Sequence, residues 1–232
     1  MISLFWLFLI CPLAYLFGSI NFAILLTGGK ILTKGSGNPG TVNMIRYYGF
    51  FMGVLILLLD AIKGALPTLV AMLIWGINTE VGRIAMLSAG LSAIIGHLFP
   101  IYYKFKGGKG IATAIGIFCI INPWVSLIAF IAMFVFIIVV EYGFIGTFIF
   151  VTTLIVAEGL NPLNHGNIAV CMLLFAMFFL IWFSHRTNIA RILIGKENKV
   201  TLFKGLKKGK ERRMAEKLKK EAELLEQLRM GN

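Results

Sequence analysis

Lys104-Phe105-Lys106-Gly107-Gly108-Lys109-Gly110 sets three lysines and three glycines in seven positions, and Ile111-Ala112-Thr113 then opens an apolar run. Glycine lets backbone N–H groups come close to a ligand, and lysine supplies positive charge. A helix starting near Ile111 adds the positive end of its dipole. Together these are the parts of an anion site, most naturally a phosphate site, with Lys104, Lys106, Gly107, Gly108, Lys109, Gly110 and Thr113 as its candidate residues. The plainer alternative is a short loop whose lysines only fix topology.

A second cluster lies upstream in Gly35-Ser36-Gly37-Asn38-Pro39-Gly40-Thr41-Val42-Asn43-Met44-Ile45-Arg46. It gathers Ser36, Asn38, Thr41 and Asn43 around one guanidinium. Such groups hydrogen-bond phosphate or carbonyl oxygens, and arginine can do so through two parallel bonds. The competing reading is a turn-rich connector in which Thr41 or Asn43 caps the next helix. A third cluster, His185-Arg186-Thr187-Asn188-Ile189-Ala190-Arg191, adds a histidine, an amide and two arginines, or else simply ends a last span with basic residues. His97, before Phe99-Pro100, is either a ligand or an interfacial histidine. Asp60 and Lys63 share one face of an apolar helix and are expected to form a structural ion pair in the bundle interior.

The elements that must position these residues are membrane helices. The chain has 232 residues, of which 59% are hydrophobic and only 14% charged, against about 25% charged in soluble domains. Mean hydropathy is +0.89. Apolar runs occupy Ile2–Leu26, Gly49–Gly76, Ile84–Tyr102, Ile111–Ile121, Trp124–Val140, Gly143–Ala157 and Ile168–Ser184. The expected fold is therefore an all-α polytopic transmembrane bundle of seven crossings. Residues 1–190 form its membrane domain and 191–232 a basic tail. Met1–Leu26 lacks a basic start and has too long an apolar run for a cleaved signal, so it reads as a retained first helix. Gly49–Gly76 is expected to kink or break near Asp60, Lys63, Gly64 and Pro67. Ile111–Ile121 is short for a crossing unless it tilts or lines a cavity.

Charge asymmetry sets the orientation. Loops Thr27–Tyr48 and Tyr103–Gly110 and the tail from His185 are basic, whereas Ile77–Arg83 and Glu158–Asn167 hold only Arg83 against Glu80 and Glu158. The basic loops belong inside, which puts the N-terminus outside and the C-terminus in the cytoplasm. Lys204–Arg229 can form an amphipathic surface helix through Met214, Leu218, Leu225 and Leu228, or else stay a solvated tail. The net charge of +12 is confined to loops and tail, which favours lipid headgroups and phosphorylated metabolites over nucleic acid as partners. Cys11, Cys119 and Cys171 read as small buried hydrophobes without disulfide or metal spacing. No metal or other cofactor is expected.

At these clusters the sequence resembles the bacterial acyl-phosphate-dependent glycerol-3-phosphate acyltransferase family. The likeness rests on Gly18-Ser19-Ile20, Gly35–Arg46, Leu58–Gly64, Gly96-His97 with Phe99-Pro100, Lys104–Thr113, and His185–Arg191 followed by Gly195 and Glu197. It implies a seven-helix enzyme in the bacterial plasma membrane whose active site faces the cytoplasm. The implied reaction moves a fatty acyl group from acyl phosphate to glycerol 3-phosphate, giving lysophosphatidic acid and phosphate. The family's phosphate loop falls on Gly107, Gly108 and Gly110 with Lys104, Lys106 and Lys109. Its first-loop serine and arginine fall on Ser36 and Arg46, and its third-motif histidine and asparagine on His185 and Asn188. The implied catalytic set is Ser36, Arg46, Lys104 and His185. Asn38, Thr41, Asn43, His97, Lys106, Gly107, Gly108, Lys109, Gly110, Thr113 and Asn188 would bind substrate. Tyr142-Gly143-Phe144-Ile145-Gly146 departs from the family in placing Phe144 where it carries a serine, with Thr147 nearby.

Acyl phosphate is a mixed anhydride, so phosphate is already a competent leaving group. Proximity and oxyanion stabilisation can then carry catalysis without a Ser-His-Asp triad. The base that takes the glycerol proton is His185, His97 or the substrate phosphate. The alternative function is a transporter of an anionic solute, which broken helices and basic mouths also suit. Outer loops poor in charge count against it. A membrane scaffold with a lipid-binding tail leaves the glycine clusters without a purpose.

Overall fold

A computed structural model describes residues 4–197 together with Met214 and Leu218. The expected tail helix over Lys204–Arg229 otherwise lies outside the described residues, as does Met1; Met214 and Leu218 are exposed helical positions. The α-helices are α1 (Leu7–Gly18), α2 (Phe22–Thr27), α3 (Thr41–Tyr48), α4 (Phe50–Trp75), α5 (Glu80–Leu98), α6 (Ile111–Ile121), α7 (Pro123–Val140), α8 (Gly143–Gly159), α9 (Ile168–Ser184) and α10 (Arg186–Leu193). No strand occurs among the described residues.

Among the described residues, four stretches are long and apolar enough to cross a bilayer: Leu7–Thr27, Phe50–Trp75, Glu80–Tyr103 and Pro123–Val140. Ile168–Ser184 joins them if counted with Arg186–Leu193 across a 53° bend, while α6 and α8 are shorter apolar helices. Large apolar side chains such as Phe8, Phe51, Val139 and Ile168 stand fully outward. A soluble monomer would not leave so much apolar surface in water, whereas a lipid-facing wall does. The chain is an integral membrane protein.

The core is a helical mass in which α4 packs on both α5 and α6, α1 on α5, and α5 on α9. α4 and α6 touch backbone to backbone. A Cβ on Gly64 would overlap the Thr113 carbonyl, and one on Gly116 would overlap the Ala61 carbonyl. Small residues of this kind let membrane helices approach closely where no hydrophobic effect drives them together.

Three expectations need correction. Of the kink or break expected in the second span, the break does not occur, since α4 runs unbroken from Phe50 to Trp75 with Pro67 inside it. Packing along α6 holds the helix together where proline removes one bond, and Thr68 Oγ1 donates to the Gly64 carbonyl at 2.8 Å. The break falls instead in the first span, where Ser19-Ile20-Asn21 separates α1 from α2 and Asn21 Oδ1 caps α2 by accepting from Ile24 N at 3.0 Å. Second, the cysteines are not interior hydrophobes: Cys119 and Cys171 are exposed on the apolar outer surface and Cys11 is half-buried. Third, Arg83 is not a loop charge. It lies inside α5, buried, with its Nη1 donating at 2.5 Å to Glu158 Oε1, which also accepts from Asn164 Nδ2 at 2.9 Å.

Candidate active site

The glycine loop is built on the end of α5. After Phe99-Pro100 the chain turns through Ile101–Tyr103, and Lys104 and Phe105 both take positive φ, 52° and 59°. That left-handed pair is uncommon outside glycine. Two hydrogen bonds hold it: Tyr103 N and Phe105 N both donate to the Pro100 carbonyl, at 3.1 and 3.0 Å. The loop then doubles back on His97, with Gly108 N donating to the His97 carbonyl at 3.1 Å. A Cβ on Gly107 would overlap the His97 and Leu98 carbonyls, and one on Gly108 the His97 ring at Nε2. The glycines are thus required by the floor beneath them, and the Gly108 N–H is committed to it. Gly110, at φ 84°, starts α6 and lies against Leu98, Ile94 and Ile181.

Under that floor is a buried charge cluster. Lys63 Nζ lies 2.8 Å from Asp60 Oδ1, donates to the Ile20 carbonyl at 2.8 Å and sits 3.1 Å from His97 Nδ1. The expected Asp60–Lys63 ion pair is present, and it reaches further than expected. The α1–α2 break frees the Ile20 carbonyl for lysine, and lysine passes the contact to the histidine beneath the glycine loop. All three side chains are buried.

A second network closes the far side of the loop. Lys109 Nζ donates to Asn188 Oδ1. Asn188 Nδ2 donates to Glu197 Oε1 at 2.6 Å, and Arg191 Nε donates to Glu197 Oε2 at 2.9 Å. The single Ser184 hydroxyl proton faces the Ile181 carbonyl at 2.6 Å, with the Lys109 carbonyl at 3.1 Å from the same oxygen. Burial pushes the Lys109 ammonium down to about 8; Arg191 pushes the same way and Glu197 opposes it. His185, one residue past the end of α9, is brought down to about 4 by burial and by Lys109, against the Ile181 carbonyl and Glu197. It is uncharged at neutral pH. Its Nδ1 lies 2.9 Å from the Ile181 carbonyl, so that nitrogen carries the proton and Nε2 keeps its lone pair. Phe144 packs on the imidazole with ring centroids 5.5 Å apart, so the position where a serine was expected supplies an apolar wall.

The first loop makes the other side. Asn43 is buried and its Nδ2 donates to the Lys34 and Asn38 carbonyls at 2.9 and 3.1 Å. It braces the loop instead of capping α3, whose N-cap is Gly40. Thr41 is half-buried, Asn38 likewise, and Ser36 is exposed with its Oγ accepting from Asn38 N at 3.4 Å. Arg46 is exposed on α3, and its guanidinium has no polar partner among the described residues. Lys104 and Lys106 are exposed as well. Tyr103, one residue before Lys104, packs on the cluster of Ile31, Met44 and Ile56. That contact brings the first loop and the glycine loop to one side of the bundle.

The structure therefore joins His97 to Gly107 and Gly108, Lys109 to Asn188, and Asn38 to Asn43. It leaves Ser36, Arg46, Lys104 and Lys106 with their functional groups open. Thr113 sits within α6, wholly buried, with an unpartnered hydroxyl. Sequence reasoning left Asp60, Lys63, Ser184 and Glu197 out of the site. For Glu197 a signal existed: it is the lone acid after a basic run, close to Asn188 and Arg191.

The chain is similar to proteins of known family. A family profile described as glycerol-3-phosphate acyltransferase matches residues 8–195. A glycerol-3-phosphate acyltransferase from Anaeromyxobacter sp. (strain K) is 36% identical over 202 residues, covering 83% of this chain and 96% of that protein. One from Sinorhizobium medicae (strain WSM419) is 37% identical over 191 residues, covering 80% of this chain and 88% of the relative. The crystal structure of PlsY (YgiH), an integral membrane glycerol 3-phosphate acyltransferase, in its glycerol 3-phosphate form superposes with a TM-score of 0.76 at 31% identity, over 83% of this chain and 94% of PlsY. Its lysophosphatidic acid form gives a TM-score of 0.74 at 30% identity. With the profile spanning all of α1 to α10 apart from Leu7, and the glycine-loop, first-loop and α9–α10 clusters inside the match, the chain belongs to the glycerol-3-phosphate acyltransferase family.

Proposed function

We propose that this acyltransferase moves a fatty acyl group from acyl phosphate to glycerol 3-phosphate, releasing lysophosphatidic acid and phosphate, at the cytoplasmic face of a bacterial plasma membrane. The bundle crosses seven times, counting α1–α2, α4, α5, α6, α7, α8 and α9, with the N-terminus outside and the C-terminus in the cytoplasm. Lysine and arginine asymmetry between the loops supports that orientation. Ser36, Arg46, Lys104 and His185 make the catalytic set. Asn38, Thr41, Asn43, His97, Lys106, Gly107, Gly108, Lys109, Gly110, Thr113 and Asn188 shape the substrate site.

One observation carries the reading: the open Arg46 guanidinium lies on α3 and the open Lys104 and Lys106 on the glycine loop, and Tyr103 packs beside Met44 of α3 to tie the two together. Both substrates carry phosphate, and a two-loop cationic site accommodates two anions. The glycerol hydroxyl oxygen attacks the acyl carbonyl carbon, the bond from that carbon to the bridging anhydride oxygen breaks, and phosphate departs with that oxygen. The hydroxyl proton goes to a base: His185 through Nε2, His97 or a substrate phosphate oxygen. Cationic donors at the carbonyl oxygen offset the charge that builds there.

Purified protein mixed with a long-chain acyl phosphate and labelled glycerol 3-phosphate, followed by lipid extraction, tests the reading. Labelled lysophosphatidic acid is expected with acyl phosphate, little with acyl-CoA, and EDTA should leave the rate intact. Full activity with acyl-CoA alone, or complete loss in EDTA, contradicts it.

Arg46→Lys is expected to lower kcat/KM although the charge is kept. A guanidinium holds two oxygens in a planar fork, whereas an ammonium is a point charge. Losing one charged hydrogen bond in the transition state costs about 1–3 kcal/mol, or roughly 5- to 150-fold. Unchanged kcat and KM for both substrates, at matched expression and melting temperature, would move Arg46 to a headgroup-anchoring role.

A further inference from the structure

His97 is one of the two histidines that can serve as the base, and its surroundings bear on that choice. Its Nδ1 faces Lys63 Nζ at 3.1 Å. Lys63 has two further acceptors, Asp60 Oδ1 and the Ile20 carbonyl, both at 2.8 Å. An ammonium has three protons and no lone pair. Three acceptors therefore use all three protons, and the third of them is His97 Nδ1. Asp60 Oδ1 itself lies 3.8 Å from Nδ1, beyond hydrogen-bond range, so it does not draw a proton onto that nitrogen. The ring proton is left on Nε2. That atom has no partner among the described residues, although His97 is only 4% exposed, and it lies against the Cα of Gly108, where no side chain intervenes.

We infer that Asp60 and Lys63 are positioning residues that hold His97 as an Nε2–H donor aimed at the glycine loop, so that His97 binds an anionic substrate oxygen there and does not act as the general base. The donor makes up for the one loop N–H beside it that cannot serve, because the Gly108 N–H is spent on the His97 carbonyl. It also separates the two histidines by chemistry. His185 turns Nδ1–H to the Ile181 carbonyl and keeps a lone pair on Nε2, whereas His97 does the reverse. The groups facing His97 are Asp60 and Lys63 from α4 and the glycine loop above it; the Ile20 carbonyl reaches it only through Lys63. The substrate part of the inference rests on the acyl-transfer reading; the tautomer does not.

The test is side-chain nitrogen NMR on full-length protein labelled with 15N-histidine, in nanodiscs and without substrate. His97, His165 and His185 are the three signals, and His97→Gln and His185→Gln assign them. The expected result is an Nε2–H tautomer for His97. An Nδ1–H tautomer or an imidazolium overturns the inference. Adding glycerol 3-phosphate should shift the His97 Nε2–H resonance, and an unmoved resonance at saturating ligand overturns the donor role. In the acyl-transfer assay His97→Gln, which keeps an N–H near that position, should retain a tenth or more of kcat/KM, while His97→Leu falls at least a hundredfold. Equal losses in the two folded variants count against the donor role. If His97→Gln does not fold, His97→Leu serves for assignment and the wild-type titration decides alone. Should wild type show the tautomer yet transfer no acyl group, the fault lies with the proposed reaction.

Discussion

Gly108→Ala is expected to lower kcat/KM by at least a hundredfold while the protein stays folded. The new Cβ would overlap His97 at Nε2, on a ring fixed from below by Lys63. The ring cannot retreat without breaking that contact, so the loop must lift. A displacement of about 1 Å at reacting groups costs on the order of a hundredfold. Lys30→Ala is the matched control, since Lys30 is exposed on the outer turn of the first loop and is not tied to the glycine loop. Its turnover should stay within about twofold, as surface charges of this kind contribute little. Kinetics on the two purified variants settle it. Equal turnover, with melting temperatures matched, would show that the glycine loop does not hold substrate against His97.

Lys63→Met should destabilise the bundle by about 3–5 kcal/mol, because it leaves the Asp60 carboxylate buried without its partner. In a chain of this length that is a fall in melting temperature of roughly 10 °C. Asp60→Leu combined with Lys63→Met should recover much of the stability, since removing both charges leaves no unpaired ion. Activity should not return with it, because His97 Nδ1 then has no lysine. Thermal unfolding in detergent and the acyl-transfer assay read the two effects separately. A Lys63→Met protein as stable as wild type would mean that water or lipid headgroups reach Asp60.

The parts of this fold that local rules govern were legible in the sequence. Apolar runs marked α4 to α9 to within a few residues, Asn122-Pro123 marked the gap between α6 and α7, and Gly110 preceded the helix at Ile111. Glycine and lysine together marked the loop that doubles back on His97. What depended on helix rotation was not legible. Lys63 lies 34 residues from His97 and 43 from Ile20, and nothing in their spacing announces that all three meet. Pro67 suggested a break that tertiary packing against α6 suppressed, while the true break at Ser19–Asn21 had no proline to mark it. Asn43 looked like a cap or ligand, yet its amide braces the loop from inside. The glycines were expected to make room for a phosphate; Gly107 and Gly108 first make room for His97.

The proposed anion site faces the cytoplasm and is shared by the first loop and the glycine loop. Ser36→Cys and Lys106→Cys, each in a background with Cys11, Cys119 and Cys171 replaced, test it with an impermeant thiol reagent. Both cysteines should be silent in intact cells and should react in inside-out vesicles, and glycerol 3-phosphate should slow both reactions. Labelling of the Lys106→Cys variant from outside intact cells, or reaction rates that ignore glycerol 3-phosphate at both positions, would contradict the account.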